Sequence, residues 1–136
     1  MRPSPSPTDL RTRVLDAADR LLARYGYRKM TVDDIAAEAG IGKGSVYLAY
    51  TSKEDVALSC IDHMVEALLA ELRALAEGDG RHLDRLREML VRRVMRRVEF
   101  ARTHASSMDA MLAAVRPAFL VRRERHFAAE ARVLAT

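Results

Sequence analysis

The sequence predicts an all-α protein, and three observations carry that prediction. Ala, Leu and Arg dominate the 136 residues while β-branched residues are few. Apolar side chains recur at helical spacing along nearly the whole chain, and no stretch alternates as a half-buried strand would. Gly and Pro are confined to a handful of punctuation points.

The helices can be placed in order. Residues 1–9, rich in Pro and Ser, read as a disordered arm. From Leu10 to Tyr25 the positions Leu10, Val14, Leu15, Ala18, Leu21, Leu22 and Tyr25 share one face, with Thr8 or Asp9 available as cap and Gly26 as stop. Thr31 opens a second helix. Thr31-Val32-Asp33-Asp34 approximates a capping box with Asp in place of Glu, and sets two acids at the positive end of the helix dipole. Gly40 ends that helix, and a third short one is expected from Lys43 to Tyr50. Ser52 caps a long fourth helix, striped by Val56, Cys60, Ile61, Met64, Val65, Leu68, Leu72 and Leu75.

Gly78-Asp79-Gly80 marks the clearest internal boundary. In the fifth helix Leu83, Leu86, Leu90, Val94, Val98 and Ala101 are expected to face inward. Arg85, Arg92, Arg93 and Arg96 are expected on a solvated outer face, with Asp84, Glu88 and Glu99 interleaved. A short sixth helix from Ser106 to Val115 should stop before Pro117, with a last amphipathic segment after it.

Composition narrows the function classes. The single cysteine, Cys60, excludes an internal disulfide framework and falls on an apolar stripe. No apolar run approaches membrane-spanning length, and "MRPSPSPTD" lacks the apolar core of a signal peptide, so a cytoplasmic protein without membrane contact is expected. His63, His82, His104 and His126 are spaced unlike a metal site and none pairs in sequence with a nucleophile. Neither metal, cofactor nor enzyme activity is expected. The net charge of +4 permits a nucleic-acid partner. Residues 1–55 carry nine Lys/Arg against eight Asp/Glu, so any DNA site must come from local placement of charge.

Gly40-Ile41-Gly42-Lys43-Gly44-Ser45 invites a phosphate-loop reading, which fails on order. A P-loop needs Gly-Lys-Ser/Thr after a strand, whereas here Lys-Gly-Ser lies between helices. A different pattern fits. Ala36 lies four residues before Gly40, where a small side chain lets two helices approach, and Val46 lies six after it, where a branched side chain plugs the angle. That is the helix-turn-helix pattern, whose second helix enters the DNA major groove.

Residues 13–56, "RVLDAADRLLARYGYRKMTVDDIAAEAGIGKGSVYLAYTSKEDV", resemble the DNA-binding domain of the TetR (tetracycline-repressor-like) family of bacterial transcription regulators. The resemblance implies an N-terminal three-helix helix-turn-helix domain at residues 10–52. It also implies a helical ligand-sensing and dimerisation region over 53–136, apparently incomplete, since relatives continue for several dozen residues. The implied protein is a homodimeric, ligand-responsive repressor that reads a palindromic operator in double-stranded DNA and answers to a small apolar effector.

By matching position, Thr31 would donate to a phosphate. Lys43 and Gly44 would approach the backbone and base edges, Tyr47 would reach a phosphate or a thymine methyl, and Lys53 would meet a phosphate. Three positions depart from the family pattern. Gly42 stands where a Ser commonly caps the recognition helix, and Leu48 and Ala49 replace residues that usually touch the backbone. The expected DNA-contacting set is Thr31, Gly42, Lys43, Gly44, Ser45, Tyr47, Leu48 and Lys53, with a shallow salt dependence because contacts are missing. Met64, Leu68, Met89, Met108 and Met111 are expected to line the effector pocket. The departures also support an alternative, a helical ligand-binding or protein-interaction module with weakened or lost DNA binding.

Overall fold

A computed structural model describes residues 6–105 and 108–135, the side chains of Met108 and Val115 apart. Six helices follow one another: α1 (Pro7–Tyr25), α2 (Val32–Ala39), α3 (Lys43–Ala49), α4 (Lys53–Ala76), α5 (His82–Thr103) and α6 (Met108–Leu134). The described residues contain no strand. The chain divides into two compact units. The first holds the described residues of Met1–Cys60 and His104–Val115; the second holds those of Ile61–Thr103 and Arg116–Thr136.

In the first unit α1, α2 and α3 pack on one another. Their core is Val14, Ala17, Ala18, Leu21 and Leu22 from α1, Ile35, Ala36 and Ala39 from α2, and Val46 from α3, closed by Tyr50, Val56 and Cys60. Each large member removed from water contributes about 1.5–3 kcal/mol. Helix α1 begins earlier than the periodicity suggests. Ser6 is its cap, accepting from the Asp9 N–H at 3.1 Å, and Pro7 takes the first turn, where its missing N–H costs nothing. Neither Thr8 nor Asp9 is the cap, and residues 6–9 belong to the cap and helix rather than to an arm.

Two arginines of α1 close the carbonyl ends of the next two helices. Arg13 donates to the Ala39 carbonyl at 2.7 Å. Arg11 donates to the Ala49 carbonyl at 3.2 Å and lies 4.8 Å from the centre of the Tyr50 ring. A cation at a helix C-terminus satisfies orphan carbonyls and opposes the negative end of the dipole.

The second unit departs from expectation. Its buried cluster is Leu68 and Leu72 of α4, Met89 of α5 and Val133 of α6. Helix α5 is turned over relative to the predicted orientation. Leu83 is 79% exposed, and Leu86, Leu90, Val94 and Val98 are exposed as well. The arginines instead meet carboxylates: Arg92 and Arg96 pair with Glu71 of α4, and Arg93 and Arg97 both pair with Glu130 of α6. Glu130 is only 1% exposed. A carboxylate that deep must be paired and hydrogen-bonded, so the face that supplies two guanidiniums turns towards it. Arg85 caps α4 through the Ala76 and Gly78 carbonyls.

Helix α6 is also a correction. It runs through Pro117 instead of stopping before it. An internal proline removes one ladder hydrogen bond and crowds the preceding turn, at about 3 kcal/mol. One of the three boundaries between the two units falls between Val115 and Arg116, beside that proline. The expected start of the sixth helix at Ser106 lies outside the described residues.

Candidate nucleic-acid interface

The turn between α2 and α3 is set by Gly40. Its φ of +69° and ψ of +36° are left-handed, a conformation that costs any residue with a Cβ about 1–2 kcal/mol. Its N–H closes the last turn of α2 on Ala36 and Ala37, and the Ile41 N–H returns to the Ala36 carbonyl at 3.0 Å. Ala36 and Val46 are both buried, 5% and 1% exposed, in the roles their spacing predicts. Thr31 completes a reciprocal capping box with Asp34: its Oγ accepts from the Asp34 N–H at 3.1 Å, and Asp34 accepts from the Thr31 N–H at 3.2 Å.

With Val46 and Tyr50 anchored, the opposite face of α3 points to solvent. Gly42, Lys43 and Gly44 are exposed and Ser45 is half-buried. Tyr47 is 49% exposed and Leu48 85% exposed. An isobutyl side chain that open contributes nothing to the core. A Cβ at Gly44 would meet nothing within 4 Å, so no packing demands glycine there, and the bare backbone leaves room for a close neighbour. Gly42 caps α3 with no side-chain hydrogen bond.

Two expected cations are engaged within the protein. Lys43 Nζ lies 3.3 Å from Asp33 Oδ2, an exposed pair of the kind worth about 0–1 kcal/mol, which a phosphate can displace. Lys53 is held more firmly. It donates to the Tyr27 carbonyl at 2.8 Å and sits 4.2 Å from the centre of the Tyr27 ring. The Tyr27 hydroxyl donates to Glu54 Oε1 at 3.1 Å. Burial first, and then Glu54, push the Tyr27 phenol up to about 12. The role of Tyr27 escaped sequence reasoning, although a tyrosine directly after a helix-stopping glycine was a visible signal.

The five residues expected to line an effector pocket are not gathered in one unit. Leu68 and Met89 belong to the buried cluster of the second unit, where Met64 is half-buried. Met111 is fully buried in the first unit, and the side chain of Met108 lies outside the described residues. His104 is buried with Nε2 2.7 Å from Asp19 Oδ1, and His126 meets Asp62, which Arg122 also pairs. Among the described residues no group of His, Cys, Asp and Glu could hold a metal ion, and no helix is long and apolar enough to cross a membrane.

This geometry agrees with comparisons to known proteins. The chain is 39% identical over 62 residues to the HTH-type transcriptional regulator EthR of Mycolicibacterium smegmatis, covering 46% of this chain and 29% of that one. It is 28% identical over 96 residues to the HTH-type transcriptional regulator YhgD of Bacillus subtilis, covering 71% and 48%. The chain thus spans less than half the length of these relatives. Its fold resembles that of the fatty acid degradation regulator FadR from Bacillus halodurans, with a TM-score of 0.58 at 22% identity over 99% of this chain and 64% of that one. Residues 14–60 match the family described as "Bacterial regulatory proteins, tetR family". The likeness to that family covers residues 14–60, the helix-turn-helix pair included.

Proposed function

We propose that the chain is a DNA-binding transcriptional regulator whose helix α3 enters the major groove of an operator. The observation that carries this is the α2–α3 pair itself. Ala36, Gly40 and Val46 fix the angle between the helices, and Lys43, Gly44, Tyr47 and Leu48 stand on the exposed face of α3. The EthR and YhgD relatives, each named a transcriptional regulator, support the same reading. In this reading the Thr31 hydroxyl and the N-terminus of α2 meet one phosphate, Lys43 leaves Asp33 for another, and Leu48 covers a thymine methyl.

The whole protein would act as a homodimeric, ligand-responsive repressor in the cytoplasm. Two heads reading a palindrome must match groove positions about 34 Å apart, so a small effector-driven change in spacing would release the DNA. The effector is proposed to be small and apolar, with half-buried Met64 beside Leu68 and Met89 among the residues that meet it. No catalytic role is proposed.

The test is selection of bound fragments from genomic DNA, followed by titration of wild type and a Lys43→Ala/Tyr47→Ala variant. An enriched inverted repeat is expected, bound by wild type at least about tenfold more tightly than shuffled DNA, with the variant weaker on both duplexes because Lys43 meets a phosphate. Equal affinity for both duplexes, before and after substitution, would favour the protein-interaction alternative.

A further inference from the structure

We propose that Arg28 and Lys29, on the turn between α1 and α2, clamp the DNA backbone beside Thr31. The inference rests on the DNA-binding reading and adds to it a phosphate contact set outside the recognition helix.

Most cations of the head, helices α1 to α3 with the start of α4, are committed to the protein itself. Arg11 and Arg13 close the carbonyl ends of α3 and α2, Arg20 pairs with Glu38 at 3.0 Å, and Lys43 pairs with Asp33. Lys53 rests on the carbonyl and ring of Tyr27. Among the described residues, Arg28 and Lys29 make no ion pair or side-chain hydrogen bond, and both are exposed.

The turn that carries them is anchored at both ends. Tyr27 and Met30 are 5% and 1% exposed, so the chain is anchored on both sides of the two cations. The Met30 N–H bonds to the Tyr27 carbonyl at 3.3 Å, and Gly26 bonds back to Leu22 at 3.2 Å. Lys53 and Glu54 hold Tyr27 from the start of α4. Arg28 and Lys29 are thereby projected outward just before Thr31, whose capping box starts α2.

Among the described residues no carboxylate pairs with either cation. Lys29 borders a shallow groove of about 490 Å³ that also includes Asp34 and Glu38. Asp34 is engaged by the Thr31 N–H and Glu38 by Arg20. Two exposed cations without protein partners are suited to exchange counterions for phosphates, and each such contact adds about 0.9 to the salt slope. The clamp also supplies backbone contacts that Gly42, Leu48 and Ala49 cannot make.

The experiment measures affinity against salt concentration for the full chain, on a duplex recovered by genomic selection and on a shuffled duplex of equal length. For Arg28→Gln/Lys29→Gln the log–log slope should fall by about 1.8 on both duplexes, with the ratio of their affinities unchanged within about twofold. Lys53→Gln should change the slope by less than half of one contact. Circular dichroism and a thermal melt matching wild type establish that the double variant is folded, as two exposed side chains require. An unchanged slope in the double variant, or a full-contact loss in Lys53→Gln alone, overturns the clamp and leaves the DNA-binding reading standing. A wild type with no salt-dependent affinity for either duplex removes both.

Discussion

The head and the second unit put opposite kinds of side chain inside. In the head, the buried face of α1 is aliphatic and its arginines reach over the surface to carbonyl ends of α2 and α3. In the second unit, α5 turns four arginines towards Glu71 and Glu130 and leaves Leu83, Leu90, Val91 and Val94 in solvent. The head is therefore held by non-directional burial, with hydrogen bonds trimming its ends. The second unit depends on charges that must stay paired. Losing one partner of a buried ionic group costs more than losing a methyl group from a core, because the partner left behind keeps its desolvation cost.

The sharpest break in that comparison is Glu130→Ala. It strands Arg93 and Arg97 around an emptied site, and a loss of about 2–4 kcal/mol is expected, below the fully buried limit because both guanidiniums are one-third exposed. Urea unfolding of the full chain measures it; a loss under about 0.5 kcal/mol would mean the network is surface decoration. In the head, Val46→Ala should cost about 2 kcal/mol by transfer and cavity terms together. It should also weaken operator binding, because Val46 fixes the angle of α3.

Alkaline titration separates the two regions by chemistry. Burial pushes the Cys60 thiol from 9.0 up to about 12, and burial with Glu54 pushes the Tyr27 phenol from 10.0 up to about 12. A raised folded-state value means stability is complete below the ordinary value and is lost as pH rises through the raised one. The head should therefore weaken between about pH 9 and about pH 12, by up to about 1.4 kcal/mol per pH unit per group. The arginine pairs of the second unit keep their charge throughout that range. Denaturant melts of wild type, Cys60→Ala and Tyr27→Phe across the window test this. A slope as steep in the variants as in wild type would assign the loss elsewhere.

The same contrast explains what was legible in the sequence. Thr31, Gly40 and Ser52 announced their caps and turn because each signal is local: Ser52 Oγ accepts from the Asp55 N–H at 3.1 Å, as its position predicts. Ala36 and Val46 were legible because their partners lie within ten residues of each other. Ser6-Pro7 was also a local signal, but the arm's Pro/Ser composition masked it. The orientation of α5 was not local at all. Its apolar stripe and its arginine stripe are both continuous, and only Glu71 and Glu130, 25 and 33 residues from Arg96 and Arg97, decide which turns inward. Lys53 shows the same limit within the head, since its hydrogen bond reaches the Tyr27 carbonyl 26 residues away and no local signal announces it.

A cap carries the smaller predictions. Thr31→Ala removes the acceptor for the Asp34 N–H and half of a capping box, and should cost about 1 kcal/mol by thermal or denaturant melt. Gly42→Ser tests the converse at the start of α3. Gly42 has φ −75° and ψ 153°, an extended conformation any residue adopts, and a Cβ there would meet nothing within 4 Å. A serine Oγ could accept from the Gly44 or Ser45 N–H, so a gain of a few tenths of a kcal/mol is expected. The gain should be confined to the recognition helix, with slower amide exchange at Gly44 and Ser45 and none at α5. If Gly42→Ser stabilises the protein and leaves operator affinity unchanged or improved, the glycine is merely an absent cap. If it stabilises the fold while weakening operator binding, the bare backbone at Gly42 is itself in contact with DNA, and the missing cap has a function.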